Sequence, residues 1–530
     1  MVSDPLDRAG AAPVAMIAWP PVGAWLSDSC PLTARHLSPR VWHSMQSHTR
    51  VPGGIRDMEA RPAIRPSVVA GLAALALLSG CSHKTSHAAS SSAKTALASP
   101  HAWPLYGLNA AHDARYKTAQ GTAGEPVHWV FHVPEAVPKG MKKPAIKRTY
   151  VSITAVRDLV GIPIGASVVD GQVYVADDDG FLYALDGSDG HMLWKFNALN
   201  QIMTTPLVAG RGPKKLVYVG GGNSTFSYTQ AVKFAHKGAR IVRGTDISGI
   251  YAVHAATGKL AWVYHTKGED MPTPAIDDGT LVFGNGDGHI YGLNAATGKF
   301  KWRVPIKSFV SMSSATVYHD LVIMGGTHPS ALYAVNAKTG KLVWRTAPQA
   351  VFSSSMGDCA PAQSRGIVVT QFERKAKGHR RAKSVEIALD AKTGKILWQT
   401  TLGVGKVPPR NKDAVPMIVG GTIYTGSPVT ATAYAVQLKT GKVLWHTPLK
   451  IKMKAAPSVT GSDVIFPVGN GAIFVLNRKT GKVLSKYMTH HGGFGPQNGV
   501  VMGDTYLIGS NFGWMYALPI KTLLGQGKTS

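Results

Sequence analysis

From about residue 160 to the C-terminus, apolar and polar positions alternate in short runs broken by Gly, Asp and Asn. The stretch GQVYVADDDGFLYALD, residues 171–186, is typical: two alternating runs joined by an Asp-Gly turn. A period of two with such a turn predicts a β-hairpin. Helical periodicity is nearly absent over the same range, so the chain is expected to be all-β.

The hairpins repeat. YALDGSDGHMLW, YAVHAATGKLAW, YGLNAATGKFKW, YAVNAKTGKLVW, IALDAKTGKILW, YAVQLKTGKVLW and FVLNRKTGKVLS follow one another, ending at Trp194, Trp262, Trp302, Trp344, Trp398, Trp445 and Ser485. Successive ends lie 68, 40, 42, 54, 47 and 40 residues apart. A period near 40 with strand-like content indicates propeller blades of four strands each. The longest interval carries an insertion, residues 222–248, and the interval of 54 contains ERKAKGHRRAK, Glu373 to Lys383, which reads as an exposed loop.

The spacing inside each copy is strict. Ala184, Ala252, Gly292, Ala334, Ala388 and Ala435 precede their tryptophan by ten positions, and Gly190, Gly258, Gly298, Gly340, Gly394 and Gly441 by four. This pattern resembles the tryptophan-docking motif of the PQQ-type, or quinoprotein, β-propellers. The resemblance implies that each indole lies flat on the turn of a neighbouring blade, where only small residues leave room. The seventh copy has Val475 and Ser485 in place of Ala and Trp, so its contact is expected to be weak. The C-terminal Tyr516-Ala517-Leu518 lacks a following Trp strand, and PVHWVFHV near residue 129 is a Trp strand without a blade. Pairing the two gives an eight-bladed β-propeller of four-stranded antiparallel blades over 127–520, closed by both chain ends, with Trp129 serving Ala517. Closure hides sheet edges that otherwise invite aggregation.

The N-terminal part reads as an address. Arg61 and Arg65 precede an apolar run from Val68 to Leu78, too short to span a bilayer but suited to a secretory signal. Leu78-Ser79-Gly80-Cys81 resembles a bacterial lipobox, which implies cleavage before Cys81 and lipid attachment to it. The expected organisation is therefore a mis-called extension (1–57), a lipoprotein signal peptide (58–80), a Ser/Ala-rich tether (81–100), a lead-in segment (101–126), the propeller, and a tail (521–530). Export to the periplasmic side of the outer membrane follows from the lipobox, with the membrane held through the lipid.

Charge sharpens the question of partners. Lys+Arg 57 against Asp+Glu 29 gives a formal +28, and residues 1–80 hold only seven of the basic residues. No zinc-finger, RNP or helix-turn-helix pattern appears, and no compact basic block with interleaved aromatics, so nucleic acid is not expected. Lys259, Lys299, Lys341, Lys395, Lys442 and Lys482 follow the turn glycines and form a crown that could meet an anionic partner; the plain alternative is a set of solvated turn lysines. His490 and His491 are the one histidine pair and a possible ligand site in the connection between blades seven and eight.

Catalytic signatures are sparse. Cys30, Cys81 and Cys359 form no CxxC or adjacent pair, and HExxH, GxSxG and Walker sequences are missing. Asp177 to Asp179 sit at a hairpin tip, where turn chemistry explains them. The segment from Trp103 to Tyr116 is similar to the opening of quinoprotein dehydrogenases, yet no calcium ligand set is legible. The expectation is a non-catalytic, lipid-anchored propeller without catalytic residues, metal or cofactor. Its repeats and lipobox resemble the lipoprotein propeller subunit of outer-membrane barrel assembly, BamB, so its partners would be proteins at that membrane. The alternative is a PQQ-dependent dehydrogenase of alcohols or sugars, with Ca²⁺, or a cofactor-binding relative of one.

Overall fold

The computed structural model describes residues 127–134, 161–162, 164–178, 180–198, 201–222, 248–352, 355–408, 413–496 and 498–526. Residues 1–87, Cys81 among them, lie outside the described residues, as do the tether and the lead-in segment; every described residue belongs to the unit 88–530. This unit contains eight four-stranded antiparallel sheets, and their innermost strands pack side by side in a ring. Blades 1 to 7 are continuous in sequence: 167–197, 207–266, 275–305, 316–346, 362–406, 417–448 and 458–488. Blade 8 takes three strands from 500–519 and its outermost strand, Trp129–His132, from the other end of the chain. There Trp129 pairs with Ala517 and His132 with Trp514. The eight-bladed, all-β architecture read from the repeat is the one observed.

The core lies between blades. In blade 4, Val322 and Met324 pack with Val282 and Ile290 of blade 3, while their neighbour Ile323 packs with Val368 and Phe372 of blade 5. Alternate residues of one strand thus feed opposite interfaces, because successive side chains point to opposite faces. This is why the middle strands carry apolar runs and are buried on both sides. The outermost strands alternate instead, with Leu260, Phe300 and Leu444 exposed.

The motif turn follows from its glycine. Gly258 has φ +67°, a left-handed conformation that L side chains rarely adopt. A β-bulge beside the small residue, as between Ala252 and Val253, shifts the register of the third and fourth strands in blades 1 to 6, and the same bulge stands beside Val475 in blade 7. Such a bulge re-aims the side chains that follow it.

In a four-stranded antiparallel blade, the first and third connections lie on one face of the ring. The second connection and the link to the next blade lie on the other. The motif turns therefore crowd one side, here the turn face, and the inter-blade links crowd the loop face.

Two local expectations change. Glu373 to Lys383 is a structured hairpin rather than a loop: strands Ile367–Lys375 and Arg381–Asp390 run on as far as the pair Lys375–Ala382, which leaves six residues between those two. At the seventh motif, the Ser485 hydroxyl donates to the Leu523 carbonyl of a one-turn helix, Ile520–Leu523, and buried Leu523 takes part in the adjoining core. Where the next docking turn would stand, the chain makes that helical turn, so no indole is needed.

Candidate functional site at the channel mouth

The turn face is occupied by structure. Trp129, Trp194, Trp262, Trp302, Trp344, Trp398 and Trp445 lie against Gly190, Gly258, Gly298, Gly340, Gly394, Gly441 and Gly481 of the following blade. A Cβ on any of these glycines would fall about 2.5–2.6 Å from the indole, so a side chain there expels the ring. Each indole N–H donates to a carbonyl of that same blade, for example Trp344 Nε1 to Ala391 O at 3.0 Å and Trp129 Nε1 to Gly187 O at 2.9 Å. The six crown lysines, Lys259 through Lys482, are exposed on this face.

The histidine pair lies across the ring. His491 stacks on Trp514 at 4.3 Å, and Trp514 meets His132 at 4.2 Å on its other contact. Burial lowers the His132 pKa, a backbone contact at Phe512 opposes this, and the nearby His491 adds to it. His490 is exposed. The His132 and His491 rings thus both pack on Trp514, at the start of the third strand of blade 8.

The loop face is where the repeats stop agreeing. On the loop face, four residues before the innermost strand, the inter-blade links carry Met203, Met271 and Met312 at blades 2, 3 and 4, Asp358, Asp413 and Lys454 at blades 5, 6 and 7, and Pro496 at blade 8. Met271 and Asp413 are buried there, and the other five are half-buried around the opening of the ring. One arc is soft and apolar, and the facing arc is charged. Among the described carboxylates of the loop face and the space beneath it, Asp358 is only half-buried, whereas Asp177, Asp178, Glu269, Asp270, Asp287, Glu373, Glu386 and Asp413 are buried.

Below the mouth, short polar side chains bind link to link. Thr205 N–H donates to Thr273 Oγ1 at 3.0 Å, and Thr273 N–H to Ser314 Oγ at 3.1 Å. One step outward, Gly325 N–H donates to Ser313 Oγ at 2.7 Å, and that hydroxyl donates to the Cys359 carbonyl at 2.9 Å. The Cys359 thiol reaches Ala414 O at 3.3 Å, while Ala414 N–H donates to Gln371 Oε1 at 3.1 Å. Gln371 in turn donates to Thr425 Oγ1 at 2.6 Å and Gly426 O at 2.9 Å. The links that carry Asp358 and Asp413 are thereby fixed to blades 4, 5 and 6.

Two carboxyls under this layer are held protonated over an unusual range. Burial raises the Glu386 pKa from 4.5 to about 8, opposed by the Gln371 amide across the strand pair and reinforced by Asp413. Asp270 is also raised well above the ordinary carboxyl value by burial, although Thr266 and Asn285 donate to its two oxygens. Asp270 stands out against the repeat. It packs on Gly220 at the place where Val310, Met356, Met453 and Ile162 pack on Gly284, Gly325, Gly426 and Gly509. Burial likewise pushes the Cys359 thiol well up, so it is a neutral, inert group in the resting protein.

Among the described residues no three His, Cys, Asp or Glu side chains converge to hold a metal ion. Sequence reasoning missed the mouth because it searched for catalytic strings. The legible signal was the departure of Asp358, Asp413 and Lys454 from methionine within aligned links.

Comparison with known proteins places these observations. Residues 152–308, 223–365 and 381–522 match the family described as "Outer membrane protein assembly factor BamB". The chain is 34% identical over 443 residues to the tetrathionate hydrolase of Acidithiobacillus ferrooxidans, covering 80% of this chain and 87% of that one. It is 30% identical over 463 residues to the tetrathionate hydrolase of Acidianus ambivalens, covering 80% and 85%. BamB from Moraxella catarrhalis superposes with a TM-score of 0.50 at 16% identity, covering 67% of this chain and 94% of that structure. Quinohemoprotein alcohol dehydrogenase from Comamonas testosteroni superposes at 0.52 and 15%, covering 81% of each chain. At such identities these two share the fold alone.

The non-catalytic scaffold expected from the sequence is thus overturned. The relatives that share both sequence and length are named as enzymes, and the BamB likeness extends only to the repeat. The error has a physical origin: docking motifs record how blades pack, and packing is common to scaffold and enzyme alike.

Proposed function

Since this chain is a PQQ-type β-propeller that belongs to the tetrathionate hydrolase family, we propose that it hydrolyses tetrathionate or a closely similar polythionate. The observation that carries this reading is 34% and 30% identity, over 80% of this chain, with two enzymes of that name. The mouth supports it chemically. Tetrathionate has a soft disulfane centre between two hard, anionic sulfonate ends. Thioether side chains are polarizable and suit the centre, and the half-buried Met203 and Met312 offer two, with Met271 buried behind them. Lys454 on the opposite arc supplies a positive charge for one sulfonate.

Cleavage of an S–SO₃ bond balances with water alone. Water gives its oxygen to the sulfonate sulfur, which leaves as sulfate; the remaining disulfanesulfonate takes the bonding pair, and two protons are released. Asp358, half-buried at the mouth, is the carboxyl placed to move one of them. The neutral Glu386 beneath suits a dianion, because an ionised carboxylate there would repel it. We propose no redox cofactor, and, from the lipobox at Cys81, action outside the cytoplasm on a lipid tether.

The test is direct. Purified protein beginning at Cys81 is incubated with tetrathionate without PQQ, and sulfate and acid release are followed by ion chromatography and titration. Both are expected to appear with tetrathionate loss. No consumption between about pH 2 and pH 7, or consumption only after PQQ and Ca²⁺ are added, would sink the reading.

A further inference from the structure

Among the described residues, the hairpin of blade 5 has no counterpart in the other blades. Its second, third and fourth strands are 9, 10 and 11 residues long, whereas the corresponding strands of blade 4 are 6, 6 and 5. The extra length continues as a paired three-stranded flap rising from the loop face. It is anchored along its sides: Phe352 N–H donates to Glu373 O at 2.6 Å, Val407 N–H donates to Arg380 O at 2.8 Å, and Val351 bridges to Arg374. Gly405 admits the Val429 carbonyl so closely that a Cβ there would lie 1.9 Å from it. This flap is built.

Its charge is one-sided. Lys375, Lys377, Arg380, Arg381, Lys383 and Lys406 are exposed on it, and its acid, Glu373, is buried. Arg374 stands directly opposite Lys383, and Arg381 opposite Lys406. Arg374 is held by the Gln349 carbonyl, the Gln399 amide oxygen and the Phe372 ring, whereas like charges paired across strands, as at Arg381 and Lys406, destabilise a sheet and are relieved by an anion beside them. The same strand runs down to Gln371, whose amide fixes the link carrying Asp413. Lys375 is four residues further, about 13 Å at ~3.3 Å per residue, roughly one Debye length at 0.1 M salt.

We propose that the flap is an anion collector, which gathers small dianionic sulfur oxyanions above the loop face and delivers them to the mouth. The choice of polythionate as the anion rests on the function proposed above; the collector itself rests on the flap. Its effect is on encounter, which fields of this kind raise by about 10-fold or more at low ionic strength.

The experiment compares two charge-reversed proteins with equal net charge. Lys375→Glu/Arg381→Glu/Lys406→Glu alters the flap, and Lys259→Glu/Lys341→Glu/Lys442→Glu alters the turn-face crown. The flap variant is expected to lose about 10-fold in kcat/KM for tetrathionate at low salt, with the loss shrinking in ~0.5 M NaCl and kcat nearly kept; the crown variant should stay within about 2-fold. Binding of dithionate, which has no sulfane sulfur to lose, is measured in parallel by calorimetry and should weaken only in the flap variant. Equal losses in both variants, or no loss in either, overturn the collector. So does a flap variant that loses binding to anionic vesicles while keeping dithionate. The triple Gln variant of the flap repeats the comparison if the Glu version does not fold. Should the wild type bind dithionate yet leave tetrathionate intact, the hydrolase reading fails while the collector stands.

Discussion

The two faces of the ring obey different rules. On the turn face seven indoles meet seven glycines in one geometry, and each copy restates the same contact. On the loop face the equivalent positions diverge from Met203, Met271 and Met312 to Asp358, Asp413 and Lys454. A repeated contact serves what every blade needs, which is a neighbour. A departure from the repeat serves what the ring needs once, which is a site. Within one repeat protein, the blades therefore act as controls for one another.

The comparison can be broken at the mouth first. Asp358→Asn keeps shape and removes proton transfer, so kcat for tetrathionate is expected to fall by about 10²–10⁴-fold with the thermal midpoint unmoved. Steady-state kinetics beside calorimetry checks this; full activity in the variant would remove Asp358 from the chemistry.

The turn face predicts the converse. Trp344, 8% exposed against Gly394, should cost about 3–5 kcal/mol when replaced by Ala. Ser485→Ala, at the copy without an indole, should cost only about 1 kcal/mol, the scale of one hydrogen bond. Urea unfolding of the pair measures the difference, and equal costs would mean that the seven docking contacts do not carry blade adhesion.

The smallest effect is a pH slope. Glu386 retains its proton in the folded protein up to about 8, while the unfolded chain loses it near 4.5. Its contribution is complete below the lower value and fades as pH rises toward the higher one, at about 1.4 kcal/mol per unit. Glu386→Gln should flatten that slope in denaturation midpoints taken from about pH 4 to pH 8. An unchanged slope would assign the pH dependence to other buried carboxyls such as Asp270.

Blade number, closure by Trp129 against Ala517, and the all-β class were legible because they are periodic. A hairpin turn, a small residue and a tryptophan act over a few neighbours and recur often enough to be read. ERKAKGHRRAK was misread because composition alone does not distinguish a basic loop from a basic hairpin. Its pairing depends on Gly403 and Gly405, twenty residues later in the fourth strand. Asp177 and Asp178 show the same limit: Asp177 accepts from Phe181 N–H at 2.9 Å, as turn chemistry demands, but Asp178 accepts from Gln201 of the next link at 2.9 Å.

The sequence by itself determined the ring: its repeat length, its glycine seats and indoles, and the two chain ends that complete blade 8. Tertiary structure alone decided which residues share the mouth, since Met203 and Lys454 are 251 positions apart and meet the same opening only when the ring closes. It also decided which acids are reachable. Burial, not residue type, leaves Asp358 accessible and keeps Glu386 protonated, and burial is a property of the packed blades rather than of any stretch of chain.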